Sequence, residues 1–218
     1  MKISAKTINI LKNFSSINPS IVIKPGNIIT TMSTNKTIIA KATVPDVFDH
    51  VVGLYKINEF IGSISLLQNP EIDFGETSLL MKSDSGSEIE YHYSEPSTIV
   101  TPPDNELRLP SVFIEVNISN KNLQDVTKAL GLFGLPEIAI VGDGNNVWIQ
   151  AIDVKNPSPN VFRVNIGETD KTFRAIFRAE NMKIVDGDYL VKLTSTRISQ
   201  FIGPEVTYWI SMEFSSTF

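Results

Sequence analysis

The sequence predicts an α+β protein built from two similar domains, each with antiparallel sheets and two short helices. Residues 1–67 and 112–193 follow the same order of patterns: a helix with one apolar face, a hairpin, further strands and a second short helical stretch. The strands alternate apolar and polar side chains, which is typical of sheets with one covered face. A repeated order of elements indicates duplication more reliably than scattered identities do, so we interpret the chain as a duplicated domain.

The composition favours a packed globular protein and limits its chemistry. Of 218 residues, 42% are hydrophobic and 20% are charged, and the formal net charge is −5. The absence of cysteine removes disulfides, thiol nucleophiles and thiolate metal sites, and it fits a reducing compartment. No apolar run approaches the ~20 residues that a membrane-spanning helix needs. We therefore expect a protein of the cytoplasm that does not act at a membrane.

The first element is a helix with an apolar side and a cationic side. At about 100° per residue, Lys2 and Lys6 gather opposite the apolar residues, with Asn9 and Asn13 beside them. The apolar side consists of Ile3, Thr7, Ile10, Leu11, Phe14 and Ile17. The outward side carries positive charge and no carboxylate.

A second cationic helix is predicted at 120–130, in the equivalent place of the second domain. Ser119 is placed to cap it, and the buried stripe consists of Leu123, Val126 and Leu130. Lys121, Gln124 and Lys128 project together, with Asp125 at the margin of their face. Lysines on one helix are ordinary surface residues. Two such faces at equivalent positions of an acidic chain indicate that positive charge is sorted onto one kind of surface.

Two shorter helical stretches are also predicted. The first has an inward apolar stripe, made of Ile57, Phe60, Ile61 and Ile64. Gly62 and the β-branched residues lower its helix propensity, so packing must support it. The other covers residues 178–185, with Arg178, Asn181 and Lys183 facing outward and Asp186-Gly187-Asp188 closing it.

Turn chemistry predicts two hairpins, and alternation predicts strands. The segments Lys24–Asn27 and Gly142–Asn145 contain the glycine and asparagine that tight turns favour. Residues 112–118 alternate with a period of two, and Tyr208–Phe214 is predicted as the last strand.

The segment 94–110 separates the two predicted domains, 1–93 and 111–218. Its prolines, Pro96, Pro102, Pro103 and Pro110, interrupt strand pairing and favour extended backbone. Its apolar residues, Ile99, Val100, Leu107 and Leu109, are too numerous for a solvated tether. This connector either partly covers a docking hollow for a peptide of another protein or packs on its own domains, and composition leaves both alternatives open.

The sequence contains no arrangement of residues that indicates catalysis or a cofactor. His50 and His92 have no histidine or cysteine two to four positions away, so a zinc site is not expected. There is no phosphate-binding P-loop and no G-x-S-x-G motif. The carboxylate pairs Asp46/Asp49 and Glu88/Glu90 are interpreted as solvated surface. We therefore expect a binding or structural protein that is not an enzyme and holds no metal.

Several short runs of the chain resemble the sliding clamp of T-even-type bacteriophages. They occur in the order of the clamp sequence and extend over nearly the whole chain. The runs are Leu11–Phe14, Ile17–Asn18, Val44–Val47, Leu54–Gly62, Ser65–Leu66, Pro96–Val100, Asn181–Lys183 and Gly187–Tyr189. Residues 69–93 and 131–175 differ from the clamp sequence in length and in amino-acid sequence.

The resemblance implies the DNA clamp fold and its function. Clamps of this family are trimeric rings of two-domain subunits, with sheets outside and helices lining a central hole for double-stranded DNA. They tether the replicative DNA polymerase, are loaded by an ATP-driven clamp loader, assist late transcription in T-even-type phages and have no catalytic activity. The resemblance implies a homotrimer in the host cytoplasm that binds DNA independently of sequence.

The resemblance also implies two sets of site residues. The DNA-facing candidates are Lys2, Lys6, Lys12, Lys121, Lys128, Arg178 and Lys183. The candidates for a pocket that binds the C-terminal peptide of the polymerase are Ile99, Val100, Leu107, Trp209 and Ile210.

Two other classes of protein share some of these features. A β-rich phage structural protein, such as a tail or capsid subunit, would share the acidity and the strand content but has no need for equivalent cationic helix faces. A β-sandwich hydrolase would need a nucleophile or a metal cluster, for which the sequence offers no credible residues.

Overall fold

The chain forms two compact units, Met1–Asn105 and Glu106–Phe218. The computed structural model describes residues 1–105, 107–156, 158 and 160–218. The boundary between the units falls within the predicted connector, 94–110, of which residue 106 lies outside the described residues. No helix in the described part of the chain is long and apolar enough to cross a membrane.

The first unit contains two α-helices and seven strands. The elements are α1 (Ala5–Ile17), β1 (Ile21–Ile23), β2 (Gly26–Met32), β3 (Ile38–Phe48), β4 (Val52–Leu54), α2 (Ile57–Leu66), β5 (Glu71–Phe74), β6 (Ser78–Lys82) and β7 (Glu88–His92). The pairing is antiparallel throughout: β1 with β4, β2 with β3, and β6 with both β5 and β7. A single 3₁₀ turn, Pro96–Thr98, follows the last strand.

The second unit contains one α-helix and eight strands among its described residues. The elements are β8 (Val112–Ile118), α3 (Asn120–Phe133), β9 (Glu137–Asp143), β10 (Asn146–Ile152), β11 (Phe162–Glu168), β12 (Thr172–Arg178), β13 (Tyr189–Thr194), β14 (Ile198–Ile202) and β15 (Val206–Ser211). One antiparallel sheet has the order β11-β10-β9-β12, and β8, β13, β14 and β15 form a second antiparallel arrangement in the order β15-β14-β13-β8.

The two units repeat one order of elements, which confirms the predicted two-domain α+β arrangement. Helix α1 and strands β1–β4 correspond to helix α3 and strands β9–β12, and strands β5–β7 correspond to β13–β15. Strand β8 pairs with β13, and its counterpart in the first unit is the chain start, where the Ile72 amide donates to the Met1 carbonyl at 2.8 Å. The correspondence therefore includes much of the pairing as well as the order, although β9 pairs with β10 whereas β1 does not pair with β2.

Burial of one side holds each cationic helix in place. All six residues of the predicted apolar side of α1 are buried, and Leu11 and Phe14 are completely so. In α3, Leu123, Val126 and Leu130 are buried as predicted. Ser4 and Ser119 cap the two helices, and α3 ends at Gly134, whose φ of +62° is a conformation that glycine adopts without strain. The lysines are therefore left on the solvent side of both helices.

A carboxylate from a distant part of the chain binds the start of each of these helices. The Asp46 side chain accepts hydrogen bonds from the Ser4 amide at 3.0 Å, from the Ser4 hydroxyl at 2.6 Å and from the Thr7 hydroxyl. In the second unit, the Asn120 amide donates to Asp188 Oδ1 at 2.7 Å. Negative charge is stabilising at a helix N-terminus, where backbone amides lack partners. Asp46 is thus a structural residue and not the solvated carboxylate that the sequence predicted.

One of the two predicted hairpins is confirmed and the other is wrong. The Gly142–Asn145 turn joins β9 to β10, with Gly144 at a φ of +90° and Asp143 Oδ1 accepting from the Asn145 and Asn146 amides. In contrast, β1 pairs with β4 and not with β2. Two residues of the predicted turn, Gly26 and Asn27, belong to β2, where Gly26 lies opposite Phe48 of β3.

The predicted fourth helix is also wrong. Strand β12 continues to Arg178, opposite Glu137 of β9, and only a single 3₁₀ turn, Ala179–Asn181, follows it. The side chain of Asp188 is bound to the start of α3, as described above, and the Gly187 amide donates to the Asn120 side chain at 3.1 Å. These long-range bonds hold the segment after the turn in an irregular path. Helix α2 is confirmed, with Ile57, Phe60, Ile61 and Ile64 buried.

We expect Asp46→Ala to lower stability more than a nearby surface substitution. It removes the acceptor of three hydrogen bonds and leaves partly buried donors unpaired, which costs about 1–3 kcal/mol. Thermal unfolding followed by circular dichroism should show a Tm several degrees below wild type. Asp49→Ala, in which an exposed carboxylate is lost, is the control and should unfold close to wild type. Equal Tm values for both variants would contradict the role assigned to Asp46.

Candidate nucleic-acid interface and partner pocket

The start of the first unit presents three exposed lysines, Lys2, Lys6 and Lys12. Lys2 precedes α1, whereas Lys6 and Lys12 lie within it. Helix α1 contains no aspartate or glutamate, so its charged side chains are all positive. Ammonium groups on such a surface attract polyanions, and a phosphate backbone is the polyanion that a lysine surface binds without base specificity.

The equivalent helix of the second unit is cationic but partly neutralised. The side chains of Lys121 and Lys128 are 82% and 75% exposed. Lys121 Nζ lies 2.6 Å from Asp125 Oδ2, and Lys128 Nζ lies 3.9 Å from Asp125 Oδ1. The hydrogen bond from Lys121 holds the pKa of Asp125 below its ordinary value, so this carboxylate stays ionised. Asp125 would therefore compete with any phosphate for both ammonium groups.

The last two predicted DNA-facing residues, Arg178 and Lys183, have different surroundings. Arg178 is the final residue of β12 and is not helical, and its guanidinium binds Glu213 Oε1 at 3.0 Å and Glu180 Oε1 at 3.4 Å. The charge of Glu213 raises the pKa of Arg178. The positive charge of Arg178 is therefore already balanced by two carboxylates, which weakens its assignment as a DNA-facing residue.

Lys183 has a different position, beside α3. Its neighbours Met182 and Ile184 line a cavity of 270 Å³ together with Leu123 and Lys128 of that helix. Lys183 is exposed. The segment that replaces the predicted fourth helix thus brings the two neighbours of Lys183 next to the lysine-bearing helix, and the assignment of Lys183 to DNA stays a prediction.

A pocket of 550 Å³ lies in the first unit, and we call it the connector pocket. It is lined by residues of four chain connections, including Asn18, Thr34, Tyr55, Lys56, Ile99 and Val100. The Asn18 amide group donates to the Val100 carbonyl at 3.3 Å and to the Met32 carbonyl at 2.9 Å, which fixes the connector against this unit. Tyr55 is 58% exposed and Val100 is 37% exposed, so both side chains offer apolar surface for a ligand to contact.

The structure brings together two of the five predicted pocket residues. Ile99 and Val100 line the connector pocket, whereas Leu107, Trp209 and Ile210 belong to the second unit. The side chain of Ile210 is completely buried, so it is corrected to a core residue. Trp209 alternates with Ile210 along β15 and is half-buried, as is Leu107.

Tyr55 and the ion pair beside it were not predicted as pocket residues from the sequence. Lys56 Nζ donates to Glu59 Oε1 at 2.6 Å at the start of α2, and this hydrogen bond raises the pKa of Lys56. The signal in the sequence was an aromatic residue two positions before Ile57, the first residue of the apolar helix stripe. Among the described residues, no group of three His, Asp or Glu is placed to hold a metal ion.

Comparisons with known protein families match nearly the whole chain. The model described as "DNA polymerase processivity factor" matches residues 2–101. The model described as "gp45 sliding clamp, C terminal" matches residues 115–214. The two matches correspond to the two structural units and leave a gap in the connector.

Individual relatives agree with these matches over their full length. The sliding clamp of Vibrio phage KVP40 is 31% identical over 220 residues, covering 98% of this chain and 99% of the relative. The sliding clamp of Enterobacteria phage T4 is 29% identical over 226 residues, covering 100% of this chain and 99% of the relative. A solved structure of A. fulgidus PCNA with the C-terminal region of FEN-1 bound has a TM-score of 0.68 at 15% identity, with 96% of each chain covered. At that identity, the structural match shows the fold alone.

We expect Asp125→Asn to increase affinity for duplex DNA. The change releases the ammonium groups of Lys121 and Lys128 from a competing carboxylate. If one additional phosphate contact forms, the slope of log affinity against log salt should steepen by about 0.9. Binding to a labelled duplex over a series of salt concentrations measures both quantities. Asp170→Asn removes an exposed carboxylate elsewhere in the second unit and is the matched control. The same increase in both variants would show only a net-charge effect.

Proposed function

Because this chain belongs to the family of phage sliding clamps, the DNA polymerase processivity factors, we propose that three copies encircle duplex DNA and tether the replicative polymerase. The observation that carries this proposal is the repeated cationic helix. Each unit has a helix whose apolar side is buried, whose start is bound by a distant carboxylate and whose lysines face solvent. A ring with these helices inside would present lysines to DNA from every direction.

The chemistry of lysine suits a protein that slides. Phosphate oxygens carry no base information, so ammonium contacts position the protein without selecting a sequence. Each contact is weak and depends on salt, so contacts break and re-form as the clamp moves. A closed ring stays on DNA while single contacts break. The protein therefore needs no deep binding site for any base.

The acidity of the chain is consistent with a DNA partner. The formal net charge is −5, although the described residues of α1 carry no carboxylate. Negative charge elsewhere on the surface repels DNA from the wrong side of the molecule. The distribution of charge, and not its sum, supports DNA inside the ring.

Ring formation requires head-to-tail contacts that close. Strand β7 is an outer strand of β5-β6-β7, and β11 is an outer strand of β11-β10-β9-β12. Outer strands have backbone groups available for pairing with another chain. Glu88 and Glu90 on β7 and Arg163 on β11 have opposite charges, so we propose that β7 of one copy pairs with β11 of the next. Three such contacts would close the trimer.

The connector pocket is the proposed site for the C-terminal peptide of the polymerase. Its exposed Tyr55 and Val100 offer apolar contacts, and Ile99 forms a buried wall. In A. fulgidus PCNA, the C-terminal region of a partner, FEN-1, is bound. That precedent supports recognition of a partner tail by a clamp. Leu107 and Trp209 stay predictions from the sequence.

The remaining parts of the proposal follow from family membership. We propose that an ATP-driven clamp loader places the ring on DNA and that the clamp also assists late transcription. The clamp acts by binding and carries out no reaction of its own, in the cytoplasm of the host cell. The comparisons favour this function over that of a β-rich phage structural protein.

Charge reversal on both helices should abolish most processive synthesis. In Lys6→Glu/Lys121→Glu, repulsion replaces attraction to phosphate on each unit. We expect shorter products on primed DNA with polymerase and loader present, while sedimentation still shows a trimer. Lys36→Glu/Lys41→Glu, with the same change of charge on exposed residues outside the helices, is the matched control. Wild-type product lengths for the helix variant would contradict the pore assignment.

Removal of apolar surface from the connector pocket should weaken polymerase binding. Tyr55→Ala/Val100→Ser truncates the two exposed walls, and each lost apolar contact costs roughly 1 kcal/mol or more of binding free energy. Polarisation of a labelled copy of the polymerase tail measures the affinity. Val51→Ser changes a valine that is 45% exposed and does not line the pocket, so it is the control. Unchanged affinity of the double variant would place the tail elsewhere.

A further inference from the structure

The connector pocket has a counterpart in the second unit, which we call the C-terminal pocket. It has a volume of 720 Å³ and is lined by Pro136, Val154, Lys155, Arg178, Glu213 and Phe214, among others. Both pockets lie where the same four connections meet. These are the link after the long helix, the loop between the second and third strands, the segment after the fourth strand and the segment after the last strand.

The walls of the C-terminal pocket are fixed by polar contacts. Glu137 is 9% exposed, and its Oε2 accepts from the Val154 amide at 3.0 Å, which holds the start of the loop after β10. Arg178 Nε donates to Glu213 Oε1 at 3.0 Å, and the Glu213 amide donates to the Ile176 carbonyl at 2.8 Å. These bonds hold the chain segment after β15 beside β12. The pocket is therefore preformed, which limits the ordering cost of binding.

The pocket combines exposed apolar surface with the cation of Lys155. Its three carboxylates, Glu137, Glu180 and Glu213, are each already bound, to the Val154 amide or to Arg178. Phe214 is 89% exposed, and Val154 is 38% exposed. The Arg197 guanidinium carbon lies 5.4 Å from the centre of the Phe214 ring, which supports one face of the ring. Within the part of the chain that the structure describes, no carboxylate pairs with the ammonium of Lys155. A ligand that carries an apolar side chain next to a free carboxylate matches both the apolar surface and the ammonium group.

We propose that the C-terminal pocket is a second docking site for a partner's C-terminal tail. An apolar side chain of the tail packs against Phe214 and Val154, and Lys155 binds the terminal carboxylate. The tail is of the same class as the one assigned to the connector pocket, so the inference rests on the proposed function. Each clamp subunit then has two docking sites of different chemistry, because the cation of the connector pocket, Lys56, is already paired with Glu59.

A titration with a synthetic copy of the polymerase C-terminal tail tests this inference. Calorimetry should give two sites per wild-type chain. Lys155→Glu/Phe214→Ala should leave one site, and Tyr55→Ala/Val100→Ser should leave the other. The same tail ending in an amide should bind the C-terminal pocket about tenfold more weakly, because a charge-assisted hydrogen bond is lost, and should bind the connector pocket unchanged. Lys36→Glu is the charge control and should retain two sites.

The outcomes separate this inference from the proposed function. One site per chain that depends only on Tyr55 and Val100 overturns the second docking site and leaves the clamp function standing. Binding that is absent in wild type overturns both assignments. Loss of the trimer in Lys155→Glu/Phe214→Ala assigns these side chains to contacts between copies and also overturns the inference. Phe214 is largely exposed, so its replacement by alanine should leave folding intact, and circular dichroism checks this.

Discussion

In the proposed function, the attraction between lysine ammonium groups and phosphate is the interaction that the architecture must serve. It requires positive charge on a defined face of a chain whose net charge is negative. Burial of the opposite side of α1 and α3 sets which way the lysines face. The carboxylates of Asp46 and Asp188 bind the helix starts from residues 42 and 68 positions away. The orientation of the cationic face is therefore set by long-range packing and not by helix propensity alone.

The parts of the fold that could be predicted were those with strong local signals. The periodicity of α1 and α3 identified their buried sides, Ser119 marked the start of a helix, and the glycine and asparagine turn marked the β9–β10 hairpin. The first hairpin failed because its two strands take other partners: β1 pairs with β4, and β2, which includes the turn residues Gly26 and Asn27, pairs with β3. The fourth helix failed because a short segment follows its tertiary contacts, here those of Arg178 with Glu213 and of Asp188 with α3.

The residues of the candidate sites could be predicted only where they lie on a single helix. Exposed lysines on a helix could be identified from the pattern of the helix itself. Asp125 could be placed at the margin of that pattern, but its ion pairs with both Lys121 and Lys128 could not be predicted from the sequence. Pocket residues come from four connections that are distant in sequence, so Tyr55 was missed and the buried Ile210 was included. Duplication gives these distant connections the same arrangement in both units, which explains why each unit has a pocket at the same place. The charged residues that line the two pockets differ.

Retention on circular and linear DNA shows whether the protein encircles DNA. If the clamp is a closed ring around DNA, clamps loaded on a nicked plasmid should remain bound through gel filtration at a salt concentration that breaks individual lysine contacts. Cutting the plasmid once should then release them, because a ring can slide off a free end. Equal retention on circular and cut DNA, or release from both as salt rises, would mean that ordinary surface contacts and not encirclement hold the protein on DNA.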